Sequence, residues 1–203
     1  MDGRFIKHVI NNDFLKQYYD NTENIESCNN VKDFLKLNIN PGVAIDIGCG
    51  AGRDTKYLLK NGWHVIAIDK NNVRERISKV LNNEEIQRFE FQKQFFENLN
   101  LAQCDLVVAN NSLSFCNKDS FNKMWNIIKQ SINPGGYFVG NIFGNRDEWN
   151  NSTQSGVYFS KEDALNLFDE FNIISFEEVE KDGTTGEGKN KHWHYFDVIA
   201  KKK

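Results

Sequence analysis

The residues best placed to do chemistry lie in one short segment, Ala44-Ile45-Asp46-Ile47-Gly48-Cys49-Gly50-Ala51-Gly52-Arg53-Asp54. An apolar run leads into three alternating glycines and then into a helix-like stretch. Glycine reaches positive φ without strain, and without a Cβ it lets a ligand lie against the backbone. A helix beginning behind the glycines presents N–H groups that suit an anion or a carboxylate. Asp69 closes a second apolar run, Val65-Ile66-Ala67-Ile68-Asp69, 23 residues after Asp46. A carboxylate there can take both hydroxyls of a ribose. Alone, the glycine run could be a tight structural turn; with Asp69 added, a nucleotide-like cofactor is the better reading.

A second group of candidates lies late in the chain. His192 and His194 are two residues apart, so on a strand they face the same side. They could supply a general base or grip an anionic substrate, or they could be an ordinary hydrogen-bonded strand pair. Metal binding would need a third ligand, and Asp197 faces the other side of a regular strand, so no metal is expected. Arg146 could attract an anion, or pair at the surface with Asp147 or Glu148. Trp149 and Trp193 could wall an acceptor pocket with Ser112, Ser114 and Phe115, or serve as packing. The loop Asp182-Gly183-Thr184-Thr185-Gly186-Glu187-Gly188 could be a lid or a plain hairpin loop.

Positioning these residues requires alternating strands and helices. Apolar spacing predicts N-terminal helices through Phe14, Leu15, Tyr18 and Tyr19 and through Val31, Phe34, Leu35 and Ile39, before Pro41-Gly42 turns the chain. Strands are expected at 43–47, 63–68, 86–92, 105–109, 137–143, 173–179 and 192–201. Helices are expected at 55–60, 73–81, 121–132 and 161–171, with Ser160 as an N-cap. This alternation argues for a mainly parallel sheet covered on both faces. The last two strands have no helix between them, so they must pair antiparallel or sit apart. The expected architecture is one α/β domain over 1–203, with a helical cap at 1–40 and a core at 41–203.

The chain's 203 residues suit one domain, and 16 Phe, 6 Tyr and 4 Trp supply large burial per residue. A net charge of −3 opposes a nucleic-acid partner, because such proteins carry a basic face. No apolar window approaches the roughly 18 residues of a membrane span. Residues 1–10 show no apolar leader segment, so a cytoplasmic location is the default expectation. Cys28, Cys49, Cys104 and Cys116 form no C-x-x-C pair and read as reduced thiols.

Two cofactor classes compete for the glycine loop. The dinucleotide fingerprint G-x-G-x-x-G fails at its third glycine, where Arg53 stands, which argues against NAD and FAD. The observed order, D-x-G-x-G-x-G followed by Asp69, resembles the first motifs of the class I S-adenosylmethionine (AdoMet) methyltransferases. The likeness extends through Cys104-Asp105-Leu106-Val107-Val108-Ala109-Asn110, Asn133-Pro134-Gly135-Gly136-Tyr137 and the closing run from His192 to Ala200. Within that superfamily the chain is similar to small bacterial methyltransferases of the tellurite-resistance type. The motifs carrying this are Gly48-Cys49-Gly50-Ala51-Gly52-Arg53-Asp54, Arg146-Asp147-Glu148-Trp149 and Lys191-His192-Trp193-His194.

The resemblance implies a Rossmann-like α/β/α sandwich with a seven-stranded, mostly parallel sheet and an antiparallel last strand. It implies that Asp46, Gly48 and Gly50 lie against the methionine part of AdoMet, that Cys49 and Gly52 also belong to the cofactor site, and that Arg53 could meet the cofactor's carboxylate. Asp69 would hold the ribose, and Asn110 would contact the methionine end through its backbone. Where the family often has an acid near the adenine, this chain has Phe95, so adenine could stack on Phe95 or Phe96; both could equally be core. The Asn-Pro-Pro-aromatic motif of nucleobase and glutamine-amide methylation is missing after Asn110, and there is little room for a target-recognition domain. The expected partner is a small-molecule methyl acceptor, with no nucleic acid or membrane, and the chain a monomer or weak homodimer. The rivals are an AdoMet-binding sensor without catalysis and a nucleotide-dependent oxidoreductase.

Overall fold

The structure is a computed structural model that describes residues 12–151 and 156–203. Residues 1–11 and the side chain of Phe14, one of the expected helix-face positions, lie outside the described residues. The elements run in the order α1 (Asn12–Thr22), α2 (Asn29–Leu35), β1 (Val43–Ile47), α3 (Arg53–Lys60), β2 (His64–Asp69), α4 (Arg74–Ser78), α5 (Asn83–Gln87), β3 (Phe89–Lys93), β4 (Cys104–Ala109), α6 (Lys118–Ser131), β5 (Ile132–Phe143), α7 (Lys161–Asn166), β6 (Phe171–Thr184) and β7 (Asn190–Lys202).

The strands form one seven-stranded sheet in the order β3-β2-β1-β4-β5-β7-β6. From β3 to β5 every pairing is parallel, while β7 is antiparallel to both β5 and β6. Strand order reverses between β1 and β4. That places the carboxyl ends of β1 and β4 side by side at the crevice where open α/β sheets bind ligands.

Side-chain alternation divides the core into two faces. Ile45, Ile47, Val107, Ala109, Phe138, Ile142, Phe196 and Val198 pack with Phe121, Met124, Trp125 and Ile128 of α6. The residues between them, Ala44, Leu106, Val108, Val139 and Ile199, pack with Val31 and Phe34 of α2 and Leu58 and Leu59 of α3. Ala67 turns to a third cluster with Tyr19 of α1 and Val73 and Ile77 beside the glycine loop. Helices thus cover both faces, giving a three-layer sandwich. Trp63 and Phe34 are fully buried and in ring contact at 5.8 Å. Truncating a buried ring of this size typically costs about 3 to 5 kcal/mol.

Several expected elements differ, among them the strand at 137–143, which already begins at Ile132. The strand at 86–92 begins only at Phe89, because Asn82 caps the short helix α5: its side chain accepts from the N–H groups of Glu84 and Glu85, and Glu85 returns the bond to the Asn82 N–H. The helix at 73–81 stops at Ser78, leaving Val80 exposed. The helix at 161–171, capped as expected by Ser160, ends at Asn166. Phe168 then turns into the core, and Phe171 begins β6. The last two strands are also longer than expected: their pairing continues to Thr184 and Asn190.

Candidate functional site

The glycine loop follows β1 at the crevice. Gly48, Gly50 and Gly52 all have positive φ, between 54° and 78°. At Gly48 a side chain would be strained by φ alone, and its Cβ would stand 2.4 Å from the Cβ of Ser112. At Gly50 a Cβ would project into open space within the cleft. The loop therefore needs backbone bare of side chains. It is pinned to β2 by the Gly48 and Cys49 N–H groups, which donate to the Ile68 carbonyl at 2.8 and 3.0 Å.

Asp69 ends β2 beside the loop. One carboxylate oxygen accepts from the Gly50 N–H at 3.1 Å and the other from the Asn71 N–H at 2.8 Å. Each oxygen keeps a lone pair, so the group can still accept from a vicinal diol. Burial pushes the Asp69 carboxyl above its ordinary range.

Helix α1 and the β6–β7 hairpin complete the cleft. The Tyr19 hydroxyl of α1 accepts from the Asn71 side chain. Asn21 donates to the Gly186 carbonyl in the hairpin tip. A Cβ at Gly186 would strike the Tyr18 ring. Burial raises the Tyr18 hydroxyl's pKa, and the charges of Arg53, Asp69 and Glu187 all act on it. Helix, glycine loop, second strand and hairpin tip therefore converge, and the tip of the segment 182–188 is docked on α1 at Gly186.

Beneath the loop lies a buried polar network. Asp46 accepts from the Thr55 hydroxyl at 2.5 Å. Burial first, and the neighbouring Asp54 second, push its carboxyl well above the usual range. Asp54 accepts from the Ser27 hydroxyl and the Cys28 N–H through one oxygen, and from the Asn110 amide through the other. Asn110 and Asn30 exchange amide bonds at 2.7 and 3.1 Å, and Asn30 also reaches Asp197. Burial pushes the Asp197 carboxyl up to about 6. The network ties α2, α3, β4 and β7 together under the cofactor loop. Sequence reading gave roles to Asp46 and Asn110, quoted Asp54 in the glycine-loop motif without a role, and missed Asn30 and Thr55.

The other expected contacts divide. Arg53 is turned toward Cys28, donating to its sulfur at 2.6 Å, with its Nε 3.8 Å from Asp54. Cys49 packs with Ala51 and Tyr19. Phe96 is half-buried against the core cluster, whereas Phe95 is exposed.

His192, His194 and Arg146 come together, but in a ladder with three acids of β6. Arg146 pairs with Glu178 and Glu180, not with Asp147 or Glu148. His194 is fully buried; its Nδ1 accepts from the Arg146 N–H at 3.0 Å and its Nε2 lies 3.1 Å from Glu178. Both ring nitrogens are thus engaged, leaving no lone pair for a base. His192 lies between Asp182 and Glu180, whose hydrogen bonds raise its pKa and favour the protonated ring. Arg146 and the two histidines hold the Glu178 and Glu180 carboxyls down at about 2.

A further cluster lies beyond β4 and β5. The turn 112–115 connects it to the loop, since Ser112 touches Gly48 while Ser114 accepts from the Phe143 N–H at 2.8 Å. Phe143 and Trp149 are in ring contact with each other and each with both Phe115 and Trp193. Among them the Lys191 ammonium lies 3.6 Å from the Trp193 ring centre and 4.1 Å from that of Trp149, and it meets Asp147 at 2.5 Å. Both charges are buried. Asp147 also accepts from the backbone N–H groups of Trp149 and His194, so it anchors the loop after β5. No grouping of three His, Cys, Asp or Glu suited to a metal occurs among the described residues. No described helix is long and apolar enough to cross a membrane.

The family model for tellurite resistance protein TehB matches residues 7–192. Among solved structures, TehB from Haemophilus influenzae superposes with a TM-score of 0.73 at 19% identity, covering 94% of this chain and 66% of that one. The chain thus spans just under two thirds of that protein. A 1,6-didemethyltoxoflavin-N1-methyltransferase from Burkholderia thailandensis, solved with its substrate and S-adenosylhomocysteine, gives 0.71 at 22% identity, covering 94% and 85%. Magnesium protoporphyrin IX methyltransferase from Synechocystis PCC 6803 gives 0.71 at 12% identity, covering 96% of both chains. At these identities the superpositions show a shared fold. No curated protein matches the chain significantly.

Proposed function

We propose that this chain, which belongs to the tellurite resistance protein TehB family, transfers a methyl group from AdoMet to a small-molecule acceptor. The observation that carries the reading is the glycine loop of β1 joined through the Gly50 N–H to the carboxylate ending β2. Bare backbone and a diol-accepting acid stand together at the crevice, an arrangement suited to a nucleoside with a charged amino-acid tail. The AdoMet-handling neighbours in the same fold support this cofactor choice.

When bound, AdoMet supplies a methyl group on a sulfonium, open to in-line displacement. The chain's part is alignment and exclusion of water. Asp69 fixes the ribose end and the glycine loop the methionine end. The turn 112–115 leads from that loop to the Phe115, Trp149 and Trp193 rings, which offer an apolar, polarisable wall to the acceptor. A soft or already ionised acceptor needs no base. The engaged state of His194 and the acid-flanked state of His192 favour that class. In this reading residues 1–203 act as one methyltransferase domain.

Turnover tests the proposal. The purified chain is incubated with AdoMet and a panel of chalcogen oxyanions, thiols, amines and hydroxyl compounds, and S-adenosylhomocysteine is quantified. Acceptor-dependent product is expected, strongest for soft or anionic acceptors. Tight AdoMet binding without product from any class would favour the sensor reading instead.

A further inference from the structure

Ser112 is held in an unusual way. It is 4% exposed, and its Oγ has no hydrogen-bond partner among the described residues. A buried hydroxyl without a partner is costly, so native proteins rarely leave one. Ser112 stands at the N-cap of the turn Leu113–Phe115, where a serine ordinarily accepts from an N–H of the first turn. Its side chain makes no such bond. Only its backbone carbonyl serves the turn, accepting from the Phe115 N–H at 3.0 Å.

The preceding residue explains its direction. Asn111 has φ +50°, a left-handed conformation that non-glycine residues seldom adopt. It is held there by the Asn141 side chain, which accepts from the Asn111 N–H at 2.8 Å. This kink brings Ser112 against the glycine loop. A Cβ built on Gly48 would lie 2.4 Å from the Ser112 Cβ and 3.2 Å from its Oγ. The Ser112 side chain therefore packs, Cβ first, on the part of the loop that the proposed function gives to the methionine end of the cofactor, with its unpartnered hydroxyl buried beside that contact. Arg53, the other candidate for that end, is turned to Cys28 and Asp54.

We infer that the Ser112 hydroxyl is a direct ligand of the α-amino-carboxylate end of AdoMet. The assignment rests on the cofactor reading above and adds a residue to it. A hydroxyl can donate to a carboxylate and accept from an ammonium, and either bond is charge-assisted. Ligand binding would also end the isolation of a buried polar group.

Calorimetric titration of wild type and Ser112→Ala with two ligands tests this. S-adenosylhomocysteine carries the α-amino-carboxylate; 5′-methylthioadenosine has the same nucleoside thioether without it. The variant is expected to bind S-adenosylhomocysteine about tenfold more weakly or worse. Its affinity for methylthioadenosine should stay within about twofold of wild type, and the free variant should melt no lower than wild type. Unchanged S-adenosylhomocysteine affinity, equal loss for both ligands, or a free variant melting several degrees lower would overturn the assignment. Should wild type bind only S-adenosylhomocysteine, its weakened binding at unchanged free-state stability decides the matter. Wild type that binds neither ligand overturns the cofactor reading itself, a result distinct from all of these.

Discussion

Gly48 and Asp69 are the two residues on which the cofactor reading turns, and both were legible because each sits at the end of an apolar strand. Gly48→Ala meets both a positive φ and the Ser112 Cβ, so the loop must shift. It is expected to weaken S-adenosylhomocysteine binding at least tenfold, measured by calorimetry. Asp46 carries a different prediction. Its carboxyl is raised in the folded chain, chiefly by burial. An acid of this kind contributes fully to stability below its unfolded value near 4 and loses that contribution as the pH rises through its folded value. Asp197, pushed up to about 6, acts in the same sense. The neutral, isosteric Asp46→Asn should therefore gain on wild type in melting temperature steadily between about pH 4 and 8. A difference that stays constant with pH would contradict this.

Among the elements, those buried on both faces were readable nearly to their ends, whereas at the sheet edges the strands were readable but not their bounds or their side-chain partners. Strands β1, β2 and β4 are continuous apolar runs because helices cover both sides of them. Strand β6 lies at the sheet edge and is largely exposed. Its Glu178, Glu180 and Asp182 make sense only once paired with Arg146, His192 and His194, which sequence reading had placed near the chemistry instead. The short helix α5 was missed although Asn82 and Glu85 spell a capping box. The network of Asp54, Asn110, Asn30 and Asp197 was illegible because four distant segments contribute to it. Asp54→Ala leaves the Ser27 hydroxyl, the Cys28 N–H and the Asn110 amide each short of an acceptor. It should cost about 3 kcal/mol or more in urea unfolding. At the other end of the crevice, Asp147→Ala strands the Lys191 ammonium among aromatic rings, at a cost of about 3 to 5 kcal/mol. Adding Lys191→Met should recover much of that loss, because neither charge then remains.

For the molecule as a whole, the sheet order places the glycine loop, Asp69, the turn after β4 and the aromatic cluster along one rim. Helix α1 and the hairpin tip close over that rim from opposite ends of the chain, a contact that local patterning could not reveal. A ligand bound there stabilises every element that meets at the rim. At about one hundred times its dissociation constant, S-adenosylhomocysteine should add about 2.7 kcal/mol. For a chain of this size that corresponds to a melting shift of roughly 5 °C or more. The most direct test of the central claim is calorimetric titration of S-adenosylhomocysteine into folded wild type and into Asp69→Ala. The account predicts saturable binding at one site in wild type and its loss in a variant that remains folded. Folded wild type giving no binding heat and no melting shift, or Asp69→Ala binding as tightly as wild type, would contradict it.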